Sequence, residues 1–136
     1  MSFSIDEYKE ITNKEDIYKI VHGFMFMKSN KSLNDTLDRF SQKKGQSSDY
    51  IIINFKNDLS QYDDPKNKVA ENQVLLSADE PAVDEACEAI LSFSDFFDYI
   101  EKSVSTMLST YPEKYNKAEI KRSLDIFKES LGIHIE

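Results

Sequence analysis

The sequence predicts a mainly α fold: a single-domain helical bundle over residues 1–136, with a small β element in the middle. Three observations predict it. Apolar residues recur at helical spacing in four stretches, each preceded by a capping residue. The chain carries only three Gly and three Pro, too few for a turn-rich sandwich or barrel. At 136 residues and 40% hydrophobic content it is the size of one domain. A chain of that length buries roughly two thirds of its unfolded surface.

The elements follow in order. Lys14–Met27, after Asn13, puts Ile17, Ile20, Val21 and Phe24 on one helical face. Leu33–Gln42, after Ser32, aligns Leu33, Leu37 and Phe40. Lys43–Asp49 (KKGQSSD) reads as a break. Tyr50–Phe55 holds three consecutive isoleucines, which favours a strand, although Ile52, Phe55 and Leu59 also suit a short helix. Gln73–Ser77 and Glu88–Phe93 read as two short extended segments, joined by an acidic loop, Ala78–Cys87, that contains Pro81. Asp95–Tyr111 is the clearest helix: Ser94 stands as its N-cap, and Asp95 and Asp98 lie where the helix dipole favours negative charge. Phe97, Ile100, Val104, Leu108 and Tyr111 form its stripe, and Pro112 ends it. Lys117–Leu131 carries Ile120, Leu124, Phe127 and Leu131 on one face; Asn116 and Glu119 open it in a capping-box relation, and Gly132 closes it. The short turn between these last two helices predicts an antiparallel hairpin.

Residues for catalysis are scarce. The chain lacks a GxGxxG, a P-loop and an HExxH, and glycines at 23, 45 and 132 only cannot build a backbone phosphate cradle. Cys87 is the single cysteine, so neither an internal disulfide nor a paired-thiol metal site is open to it. One thiol fits a reducing cytoplasm. His22 and His134 are far apart in sequence and neither has a ligand-spaced partner. The pairs Asp63–Asp64, Asp79–Glu80 and Asp84–Glu85 lack the spacing and the turn glycine of a calcium loop. With no Trp, the aromatic cleft that flanks glycosidase carboxylates is also disfavoured. The reading is therefore no enzyme, no metal and no cofactor. The N-terminus, MSFSIDEYKEI, has neither a basic nor an apolar segment of a secretion signal. No apolar run approaches the ~20 residues of a membrane span.

Charge is the informative feature. The net charge is −8, from 25 acids and 17 bases. The whole excess lies in Lys56–Lys102, where twelve acids meet four bases, and Val69–Ile100 has neither Lys nor Arg. A surplus this localised repels itself and costs stability. It argues against nucleic acid or an anionic membrane as partner, since both need a basic face. A solvated acidic face is the ordinary alternative. A surface shaped for a cationic partner is the functional one, with Tyr62, Phe93, Phe96 and Tyr99 the nearest large anchors.

The order of elements from Val74 to Leu131 resembles the C-terminal part of immunity proteins of bacterial contact-dependent growth inhibition systems. VLLS, an acidic link and EAILSF are followed by SDFFDYIEKSVSTMLSTYP and then AEIKRSLDIFKESLGI. The resemblance implies a cytoplasmic, non-catalytic inhibitor that binds one cognate toxin domain, often a nuclease and therefore often basic. Asp79, Glu80, Asp84, Glu85 and Glu88 are the residues expected to steer such a toxin, with Asp95, Asp98 and Tyr99 as further contacts. The alternative is an adaptor or structural protein that binds its partner through an apolar helical groove.

Overall fold

The computed structural model describes residues 8–48, 50–59 and 69–133. Asp49, Tyr62, the Asp63–Asp64 pair and His134, all singled out from sequence, lie outside the described residues. Strand β1 (Lys9–Glu10) is followed by helices α1 (Lys14–Met25) and α2 (Asn30–Ser41). Strands β2 (Gln46–Ser48) and β3 (Ile51–Phe55) come next, then a 3₁₀ turn at Lys56–Asp58. Strands β4 (Gln73–Ala78) and β5 (Cys87–Ser92) lead into α3 (Phe93–Thr110) and α4 (Lys117–Ser130).

The expectation of a mainly helical bundle is wrong. Four helices and a five-stranded sheet, in the order β1-β5-β4-β3-β2, make this an α/β fold among the described residues. The sheet is mixed: β1 runs parallel to β5, and the other neighbours are antiparallel. The middle of the chain is thus the spine of the molecule. The ambiguous YIIINF segment is strand β3, paired with β4 from Ile51↔Ala78 to Phe55↔Val74.

Alternation along the strands sorts the two faces. Ile51, Ile53 and Phe55, with Val74, Leu76 and Ala78, and Cys87, Ala89 and Leu91, join the helices in one buried cluster. A phenylalanine group lies at its centre. The Phe40 ring lies 5.3–6.1 Å from the rings of Phe24, Phe55, Phe96 and Phe127. The opposite face carries Glu88, Ile90, Ser77, Leu75 and Ile52, and only Leu75 and Ile90 meet a small second cluster, with Leu59 and Val69.

The helices pair in an order the sequence does not announce. Although α3 and α4 touch through Phe96 and Phe97 on Phe127, the longer seams are α1 on α3 and α2 on α4. Across the first seam, His22 Nδ1 and the buried Ser103 hydroxyl share a 2.7 Å hydrogen bond. Across the second, Asn30 and Asn34 both donate to Glu119, and Ser123 donates to Asn34. Two caps also differ from expectation. Ser92, not Ser94, caps α3 by accepting from the Asp95 amide, and Ser29, not Ser32, caps α2. Asn116 caps α4, and Gly132 follows it at φ +76°, a left-handed angle that glycine reaches freely.

Strand β2 is held by backbone contacts and not by apolar burial. The Gly45 amide donates to Asp58 at 2.8 Å, the Phe55 amide donates to the same carboxylate oxygen at 2.6 Å, and Arg39 donates to the Gly45 carbonyl.

Candidate functional site

The β4–β5 hairpin loop and the strands beside it gather acids at one end of the sheet. Asp79 leaves β4 with its amide donating to the Tyr50 carbonyl at 2.8 Å, which ties the loop to the start of β3. Glu80, Asp84 and Glu85 are exposed on the loop. Glu88, in β5, points to the helix-free face, level with Ser77 on β4 and with Glu10 on β1. Like charges side by side in a sheet are unfavourable.

Behind the loop lies a groove of about 800 Å³. One wall is α1, through Asp16, Lys19, Ile20 and Gly23. The other is the hairpin, from Pro81 to Glu85. Tyr50 and Ile51 at the start of β3, Lys9 and Ile11 around β1, and Cys87 from β5 also line it. Tyr50 is a large apolar residue left 50% exposed.

The electrostatics of the groove are anionic on balance. Burial raises the Cys87 thiol above its ordinary pKa, and the carboxylates of Asp16, Glu85 and Asp79 raise it further against the opposing charge of Lys9. Cys87 is thus kept as a thiol and is poorly suited to act as a nucleophile. Lys9 and Glu85 form an ion pair at 3.8 Å, but both side chains are mostly exposed, so it contributes little. Among the described residues, Asp16, Asp79, Glu80 and Asp84 make no ion pair. No group of three His, Cys, Asp or Glu side chains converges to hold a metal among the described residues.

The site residues expected from sequence therefore fall into separate groups. Asp79, Glu80, Asp84 and Glu85 share the hairpin loop, with Glu88 just beyond it on the sheet face. Asp95, Asp98 and Tyr99 lie past the other end of β5, a strand of six residues and so about 20 Å long. Asp95 sits in the first turn of α3 beside its cap, while Asp98 has passed into the second. Tyr99 is half-buried against the main core, and burial, then the Asp95 charge, raises its hydroxyl above the ordinary pKa. Phe93 and Phe96 belong to the core. Sequence reasoning missed Asp16, Gly23 and Tyr50 as groove residues. Their approach to the hairpin is set by tertiary packing, and no local pattern announces it.

The fold and the site together define a small α/β protein with an acidic, cleft-bearing end. A family model described as CDI immunity protein matches residues 14–124, and the chain belongs to that family. The matched span runs from α1 into α4 and takes in every wall of the groove except Lys9 and Ile11. No curated protein and no solved structure matches the chain. No helix among the described residues is long and apolar enough to cross a membrane.

Proposed function

We propose that this protein is a cytoplasmic, non-catalytic immunity protein that binds and neutralises one cognate toxin domain, a basic nuclease, at the acidic end of its sheet. Family membership supports the toxin as partner. The observation that carries the binding mode is that Asp16, Asp84 and Glu85 line one groove against two bases, Lys9 and Lys19, with Asp79 and Glu80 on the same hairpin loop, Glu10 and Glu88 on the strands beside it, and a single ion pair, Lys9 with Glu85, among the described residues there. Carboxylates so placed repel one another, and a cationic surface relieves that repulsion on binding. Their field also speeds encounter with a basic partner. A nuclease must hold phosphates and is basic for that reason, so the charge of the partner follows from its chemistry. Asp95, Asp98 and Tyr99 lie at the other end of β5 and belong to a second, peripheral contact if the toxin spans the whole edge.

The adaptor reading is weaker. The spaces between the helices are filled by the chain's own phenylalanines, Phe24, Phe40, Phe96 and Phe127, which are all buried. The larger open groove lies between a helix and a hairpin loop, not between helices, and carries Asp16, Asp84 and Glu85 beside its apolar residues.

Co-expression with the toxin domain encoded immediately upstream tests the function. Growth should be restored and the two chains should co-purify. Continued growth arrest with the chain abundant and soluble would reject the immunity role for that pair.

A further inference from the structure

We propose that the groove between α1 and the β4–β5 hairpin is an anchor slot for a lysine or arginine side chain on a projecting segment of the toxin. The inference rests on the immunity reading and adds where and how the partner is held. Gly23 is its first support. It lies inside the last turn of α1, where alanine makes a better helix. Packing does not demand glycine there: a Cβ would meet only the Ile51 side chain, at 3.7 Å, an ordinary contact, and the backbone angle is not left-handed. What the missing side chain does is keep the α1 wall low. Asp16, Ile20 and Gly23 stand at i, i+4 and i+7 on the stripe that faces the groove, so a long side chain at 23 would project into it.

The walls select the occupant. About 800 Å³ is within the range of pockets that enclose a ligand, and it has room for a charged side chain with part of its segment. Asp16 stands on one wall and Asp84 and Glu85 on the other, and the bases present are Lys19 and the already paired Lys9. Ile20, Ile51 and Val83 suit the aliphatic stem of a lysine or arginine, whose charged head stays near the carboxylates. Tyr50, half exposed, adds an aromatic ring to the lining on which a guanidinium can stack.

The test measures affinity of the full chain for its toxin domain by calorimetry, alongside thermal stability. Gly23→Ala should bind within about threefold of the parent and melt no lower. Gly23→Leu should also fold, yet lose at least about thirtyfold in affinity, the loss expected when a central anchor is displaced. Tyr50→Ala, at an exposed position, should lose about tenfold. It decides the matter if Gly23→Leu melts early. Unchanged affinity in both Gly23→Leu and Tyr50→Ala would overturn the slot while leaving the immunity role standing, and would be the outcome if a small molecule occupies the groove instead. A parent chain that fails to bind the toxin at all would overturn both.

Discussion

Reversing Asp79, Glu80, Asp84 and Glu85 to lysine should slow association with the toxin domain at least tenfold at low salt, toward a hundredfold, with the fold intact. Glu80, Asp84 and Glu85 are exposed, and the hydrogen bonds that hold Asp79 in its turn are made by its backbone. The one ion pair lost, Lys9 with Glu85, is a mostly exposed one. The effect should appear in the association rate more than in dissociation, because exposed rim charges steer and contribute little once the complex has formed. Four reversals also bring the net charge from −8 to zero, so location must be separated from total charge. Reversal of Asp35, Asp38, Asp125 and Glu129, all exposed on the α2 and α4 side, makes the same change in net charge. That control should slow association far less. Equal slowing by both sets, read by stopped-flow mixing at several salt concentrations, would mean that net charge and not the hairpin draws the toxin in.

The second large effect concerns stability. Gly45→Ala should cost about 3 kcal/mol, at the upper end of what overpacking usually costs. A Cβ at Gly45 would stand 2.1 Å from the Ile53 carbonyl oxygen and 3.1 Å from the Asn54 Cα, both backbone atoms of β3. It would also reach 2.7 Å from the Asp58 carboxylate that accepts from both the Gly45 and Phe55 amides. Side chains can rotate away from a clash, but a paired strand cannot, so β2 would have to leave β3. Urea unfolding should show a lowered midpoint. A loss under about 1 kcal/mol would mean that β2 is not held against β3 as described.

These effects also mark what could be read in the chain beforehand. The four helices were legible because their signals are local: a cap, an apolar stripe at helical spacing and a stop. The stripes led by Ile17, Leu33 and Ile120 are buried, and so is that led by Phe97 as far as Val104, beyond which Leu108 is half-buried and Tyr111 exposed. The Ser92 cap was legible too, since Ser92 and Asp95 stand at capping-box spacing, but the segment Glu88–Phe93 had already claimed that serine for a strand. The sheet was underestimated because its pairing is non-local. Strand β2 is Gln-Ser-Ser, without apolar alternation, and its place is set by Gly45 and Asp58. Strand β1 is two exposed residues that pair with β5 across nearly eighty positions. With both edges unseen, three short extended segments looked like a small insert in a bundle. They are the central strands of the sheet. The acidic surplus was legible as a sum and not as a surface. It divides at β5 into the hairpin group and the Asp95–Asp98 pair, and the hairpin group then gains Asp16 from a distant helix.

The central claim is that the toxin sits on the hairpin end of the sheet. Amide hydrogen exchange of the free and toxin-bound chain tests it most directly. Protection on binding should concentrate in Asp79–Ala86 and in the segments around Tyr50 and Gly23. Protection confined to α2 and α4, with the hairpin loop exchanging as fast in the complex as alone, would contradict the account.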